Sequence, residues 1–231
     1  GIYGALEKKT DHLSKSQNKP RQILWKIYTK HCVLASGAIE RSIVFPNNDR
    51  PGIMLSGAVR TYANRFGSSL GKTAAIFTNN DDGWKTANDL SKIGVKIAGV
   101  IDTRKNINPL TDKHPFYINN SIIDTFGRKG LSGIKLKTGK ILKIDLLAVS
   151  GGWGSNVHLT CHKGGKPRWD ENHHNFVPSK DIEKQNITPV GAAKGIFELD
   201  KIILDTQKTI SKLIKNLGYK SPRTIPITSS K

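Results

Sequence analysis

The chain reads as an α/β protein in which a smaller βαβ unit is set inside a larger parallel-sheet domain. Three observations predict this. Thr73–Thr78 is a continuous apolar run, Gly83 to Ile93 carries Ala87, Leu90 and Ile93 on one helical face before a stop at Gly94, and Val95 to Ile101 is a second apolar run. Strands buried on both faces and joined by a helix form a parallel pair. Upstream, Cys32 to Ala35 is another apolar run that ends in Ser36-Gly37-Ala38. Downstream, Ile196 to Leu217 places Leu199, Ile202, Ile203, Thr206, Ile210, Leu213 and Leu217 on the stripe of an amphipathic helix, with Gly218 to end it.

In chain order, residues 1–20 are polar around Leu6 and Leu13, which suggests loop with at most a ragged strand. Ile23, Trp25 and Ile27 alternate as an exposed hairpin strand would. Pro46 and Pro51-Gly52 punctuate a connection, and Ser56 to Phe66 follows as a helix with Ala58, Val59, Tyr62, Ala63 and Phe66 on one face. After the βαβ unit, Ser121 to Phe126, Ile134 to Lys137 and Ile141 to Val149 read as shorter strands, with Thr138-Gly139 as a hairpin turn. Beyond Gly151-Gly152 the chain returns to the larger domain. The expected boundaries are 1–66 for part of a first dinucleotide-binding domain, 67–149 for the inserted domain, 150–217 for the return and 218–231 for a linker.

With 231 residues the chain can bury a full core. Its formal charge of +19 would suggest nucleic acid or an anionic surface if it were concentrated. Lysine and arginine are instead scattered singly, with no nucleic-acid motif, so any such affinity is expected to be non-specific, on the order of 10⁻⁴ to 10⁻⁶ M, and to fade with salt. Two cysteines, Cys32 and Cys161, lie far apart without ligand spacing, which supports neither a disulfide framework nor a zinc site and fits a reducing cytoplasm. No apolar stretch reaches the ~18 residues needed to span a bilayer. The chain opens on Gly1-Ile-Tyr-Gly with no Gly-x-Gly-x-x-Gly at a first βα turn, so the expectation is a fragment lacking an amino-terminal half-fold.

Candidate ligand residues cluster at strand ends. At Ala35, Ser36 and Gly37 small side chains would let the backbone pass close to a bound nucleotide. Thr78-Asn79-Asn80-Asp81 occupies the βα turn where a Rossmann unit carries its glycine fingerprint, and Asp102 ends the next strand, where a carboxylate usually meets a ribose hydroxyl. Of the glycines only Gly83 is present, so nucleotide ancestry is better supported than occupancy, and an Asx-capped turn is the competing reading. Phe66-Gly-Ser-Ser-Leu-Gly-Lys-Thr73 is not a P-loop, because its spacing is one residue short and it joins helix to strand; Lys72 is read as a solvated turn residue. Cys161, His162, His173 and His174 match no zinc pattern and read as loop residues. No catalytic acid, base or nucleophile can be argued.

The phrase from Val33 to Ala58, with Glu40-Arg41 and Asn47-Asn48-Asp49-Arg50-Pro51-Gly52, resembles the alpha subunit of heterotetrameric sarcosine oxidase. Thr78–Asp81, Ala148–Trp153, Gly164–Asp170 and Val190–Gly195 continue that resemblance in order over nearly the whole chain. It implies a Rossmann-like FAD/NAD(P)-binding domain with an inserted βαβ nucleotide-binding domain. It also implies an oxidoreductase complex that demethylates sarcosine oxidatively and passes the one-carbon unit to tetrahydrofolate. The alpha subunit of that family holds NAD, while FAD and FMN are carried mainly by the beta subunit and the interface; amine oxidation belongs to the beta subunit. In related flavoproteins the place of Gly191-Ala192 carries Gly-Asp, whose carboxylate binds cofactor hydroxyls, and here Ala192 stands in its stead, which counts against tight FAD. The resemblance therefore implies NAD on Ala35, Ser36, Gly37 and Gly191. Two alternatives are an FAD- or ATP-binding subunit of a related amino-acid dehydrogenase or opine oxidase, and a structural subunit with vestigial nucleotide sites.

Overall fold

The computed structural model describes residues 1–13, 18–162 and 164–220, so most of the expected linker lies outside the described residues. The chain divides into two compact units, one of residues 39–154 and one of residues 1–38 with 155 onward.

The 39–154 unit is three layers deep. Its centre is a wholly parallel sheet ordered β5 (Ile53–Leu55), β12 (Leu146–Ser150), β6 (Thr73–Thr78), β7 (Lys96–Asp102), β8 (Phe116–Ile118). Alternation along the strands decides which layer each side chain feeds. Ala74, Ile76, Leu146 and Ala148 face helices α1 (Ser56–Phe66) and α2 (Asp81–Lys92), meeting Val59, Ala63, Trp84, Ala87 and Leu90. Ala75, Phe77, Leu147 and Val149 face a three-stranded antiparallel sheet of β9 (Ile122–Phe126), β10 (Gly133–Leu136) and β11 (Ile141–Leu142), meeting Ile122, Ile134, Leu136 and Leu142. Phe45 completes this layer with its ring edge against Phe77, 5.6 Å between centroids.

Several sequence expectations shift here. The compact unit starts at Ile39 rather than at residue 67, because β5 enters the sheet beside β12 and α1 packs in the same core as α2. Helix α2 begins at Asp81 rather than Gly83, since the Asn80 side chain caps it by accepting the Asp82 N–H at 3.0 Å. Strand Ile141 to Val149 is two strands separated at Lys143–Asp145; the Asp145 carboxylate accepts the Lys72 and Thr73 N–H groups at 3.0 and 2.8 Å. Lys72 itself is exposed.

The other unit is thinner. Residues 2–8, expected as loop with at most a ragged strand, form β1 (Ile2–Lys8), paired in antiparallel register along its whole length with β2 (Gln22–Tyr28). The strand was hidden because Ile2 and Leu6 stay exposed and Gly4 dilutes the alternation. β3 (Cys32–Leu34) lies parallel to β16 (Ile187–Pro189), and β14 (Arg168–Asp170) pairs with β15 (Asn175–Val177). Buried Leu34, Ile182 and Ile187 form its small core cluster. A short α3 (His158–Cys161) and the long α4 (Leu199–Asn216) complete it, while β4 (Ala38–Glu40) and β13 (Trp153–Ser155) span the two chain crossings between the units. α4 starts three residues later than expected, after Gly195 in the left-handed region at φ 96° has turned the chain, and none of its residues is fully buried.

Candidate functional site

In open α/β sheets ligands gather at the carboxyl ends of the strands. β3 and β16 are parallel with Leu34 opposite Pro189, and the Val190 N–H donates to Leu34 O at 3.0 Å, so Ala35-Ser36-Gly37 and Gly191-Ala192 leave the pair at one end. Asn156 fastens the first segment. Its side-chain NH₂ donates to Ser36 O at 2.8 Å, its N–H to Gly37 O at 3.0 Å, and the Ser36 hydroxyl donates to its carbonyl at 3.1 Å. Gly37 sits at φ +72°, and no atom lies within 4 Å of the position a Cβ would take. The Ser155 hydroxyl donates to Ala192 O at 2.7 Å, and Gly191 adopts φ +62° beside Ile202. A narrow cradle results, made mostly of backbone with an open space over glycine, which fits the flat approach of a dinucleotide.

Five of the expected residues, Ala35, Ser36, Gly37, Gly191 and Ala192, thus come together, and Ser155 and Asn156 join them unanticipated. Their only sequence signal is a polar pair just after the Gly151-Gly152 return. One expectation changes: Gly191–Lys194 forms a four-residue 3-10 helix, so the residues after β16 do not lead directly into α4.

The other expected residues lie in the 39–154 unit, at the carboxyl ends of β6 and β7, and there several of them are bonded to the protein's own groups. The Thr78 hydroxyl is buried, donates to Asn80 O at 2.8 Å and accepts the Asn80 N–H. Asn79 N–H and Asn80 NH₂ both donate to Ser150 O. Gly83 lies where a fingerprint's third glycine serves helix–strand packing, since a Cβ there would overlap Thr78. The second-glycine position is Asn80, whose amide oxygen occupies the N-terminus of α2, and Asp81 and Asp82 put two carboxylates in the first turn. At this terminus Asn80 occupies one of the free N–H groups, and the two first-turn carboxylates work against an added phosphate charge.

Asp102 is fully buried and committed inward. Its carboxylate accepts the Trp84 indole N–H at 2.8 Å, the Arg104 backbone N–H at 2.9 Å and the Arg104 guanidinium at 2.8 Å, and Arg104 also reaches Asp81 at 2.8 Å. The position read from sequence as a ribose ligand is the hub of an internal network. Arg104, two residues on, was the signal for it.

A second carboxylate pair sits near α1. Glu40 accepts the Gly57 N–H at 2.8 Å, and Asp82 accepts the Trp153 indole N–H at 2.8 Å. Burial pushes the Glu40 carboxyl up from its ordinary value; the Gly57 bond opposes this and the Asp82 charge adds to it. Burial also works to raise Asp82, but hydrogen bonds from Trp153 and Lys85 hold it below its ordinary value. A carboxyl raised on folding favours the protonated form, so its contribution is present below the ordinary value of 4.5 and is lost as pH rises through the folded value. Glu40→Gln is therefore expected to raise the urea midpoint at pH 7 and to leave it unchanged near pH 4; an equal effect at both pH values would refute the assignment.

No family model matches the chain. It is 31% identical over 226 residues to the sarcosine oxidase alpha subunit of Rhizobium meliloti, covering 96% of this chain and 23% of that protein. It is 34% identical over 242 residues to the alpha subunit from Corynebacterium sp. strain U-96, covering 96% and 25%. The chain is related to sarcosine oxidase alpha subunits. It spans about a quarter of the length of these alpha-subunit relatives. Among solved structures, L-proline dehydrogenase from P. horikoshii superposes with TM-score 0.66 at 20% identity, over 86% of this chain and 37% of that one. A ferredoxin reductase from Rhodopseudomonas palustris superposes at 0.60 with 15% identity, over 88% and 56%. The fold is that of the FAD/NAD(P)-binding oxidoreductases, an α/β Rossmann-like architecture. No helix among the described residues is long and apolar enough to cross a membrane.

Proposed function

We propose that this chain is the dinucleotide-binding part of an oxidoreductase subunit of the sarcosine oxidase alpha type, and that it holds NAD at the carboxyl ends of β3 and β16. The observation that carries this reading is the backbone cradle around Gly37, with its open Cβ position, beside Gly191. Backbone of Ala35, Ser36, Gly37 and Gly191 would meet the nucleotide, and Asn156 and Ser155 would hold those segments in place. Ala192 offers no carboxylate for the hydroxyls of a flavin cofactor, which counts against a tightly held FAD. The 39–154 unit would be a nucleotide-binding fold without its nucleotide, its α2 terminus closed by Asn80 and its Asp102 engaged by Arg104 and Trp84.

Bound NAD supplies a nicotinamide ring able to exchange hydride. The residues here bind and orient; none is placed as acid, base or nucleophile. Amine oxidation, the flavins and folate chemistry would reside in a beta subunit, at interfaces and in other parts of a hetero-oligomer. Releasing the ligand from purified full-length protein and weighing it tests the reading: NAD is expected. FAD or ATP would favour a related amino-acid dehydrogenase or opine oxidase subunit, and no ligand would favour a structural role.

A further inference from the structure

We propose that the cavity beneath α4 is a second binding site, distinct from the dinucleotide cradle, for a small organic molecule carrying two or more phosphate groups. The cavity measures about 720 Å³, within the range of roughly 300–1,000 Å³ that small-molecule sites occupy. Ala35, Ser36, Gly37, Gly191 and Ala192 take no part in its wall.

Its chemistry is set by the cations that converge on it. Arg168 comes from β14, Lys180 from the 3-10 helix Lys180–Gln185, Lys194 from the turn after β16 and Lys212 from the last turns of α4; His31, which leads into β3, closes one end. These residues are remote in sequence, so folding and not a basic run brings them together. Among the described residues, no carboxylate side chain lines the wall. Lys194 is held by Asp205 at 2.8 Å, whereas Lys180 and Lys212 form no ion pair among the described residues. The His31 ring nitrogen is 2.8 Å from the hydroxyl of Thr188, itself 7% exposed.

Like charges gathered around a concave wall focus a positive potential into it, and an anion relieves their repulsion. Arginine offers a planar fork and lysines offer point charges, the combination that suits phosphate oxygens. A single carboxylate would leave most of these cations unmatched, whereas two or more phosphates would not. Ile182, Ile196 and Leu213 supply apolar wall beside them for an organic moiety. α4 presents half-buried apolar residues, and its Leu213, with Leu217 just beyond its end, lines the cavity.

Calorimetric titration of the full-length polypeptide, with and without saturating NAD, using inorganic tripolyphosphate as probe at fixed ionic strength, tests this. Lys180→Gln with Lys212→Gln is expected to weaken binding on the order of tenfold or more. Asp205→Asn, which removes the carboxylate holding Lys194, is expected to tighten it. Gly37→Val is expected to leave it unchanged. Unaltered affinity in the double lysine variant would overturn the proposal, as would displacement of the probe by NAD together with its loss in Gly37→Val, which would put the probe in the dinucleotide cradle.

Discussion

Gly37→Val in the full-length polypeptide is expected to abolish retention of NAD while leaving the fold intact. Two effects act in the same direction. Gly37 stands at φ +72°, where a β-branched residue is strained by about 1–2 kcal/mol. Its Cβ position is open, so valine would meet no protein atom but would fill the space a nucleotide needs. The neighbouring hydrogen bonds, from Asn156 to Ser36 and Gly37, involve backbone carbonyls that the substitution retains. The measurement is the mass and stoichiometry of nucleotide released from purified protein, beside a thermal melt. Asp102→Asn, in the 39–154 unit, is expected to retain nucleotide. The reverse pattern would move the ligand to the other unit.

Asp102→Ala is expected to have the largest effect on stability, lowering that of the 39–154 unit by about 3 kcal/mol. Removing the carboxylate strands the indole N–H of Trp84, which has no exposed surface, and leaves Arg104 without its main partner. The low end of the range for broken buried pairs applies because the Arg104 side chain is 30% exposed and can recruit water. Hydrogen exchange at the amides of β6 and β7 reads this locally, and the opening free energy should fall for both strands together. Protection within about 0.5 kcal/mol of wild type would mean that the network contributes little.

These two residues also mark what the sequence could reveal. The βαβ unit was legible because the middles of its two strands, Ala74–Phe77 and Ile97–Ile101, are largely buried and so read as apolar runs. Gly37 stood out in the sequence because a small residue and a glycine follow an apolar run, and the structure holds it in the left-handed region with an open Cβ position. Asp102 carried two readings because a carboxylate at that spacing looks the same in sequence whether it faces a ribose or Arg104 and Trp84; only three-dimensional proximity brings in the latter pair. β1 registered as no more than a ragged strand because most of its side chains are exposed, so burial imposed no pattern on it. β5 and β8 were missed because each contributes three residues to the sheet, too few for a period to register. Asn156 acts through backbone carbonyls, which leave no trace in the order of residues.

The pairing of Arg41 with Gly151 and Gly152, each N–H to carbonyl contact at 2.8 Å, has a temporal consequence. β3 is synthesised long before β16, and the whole 39–154 unit must leave the ribosome between them. Were that stretch unfolded, joining Leu34 to Pro189 would carry the closure entropy of a very long loop. Once folded, the unit holds its own two ends together through Arg41, Gly151 and Gly152, and the flexible loop shrinks to the few residues on either side. Synthesis therefore imposes an order: the inserted sheet matures first, the early strand waits unpaired, and the backbone cradle at the ends of β3 and β16 closes only after both.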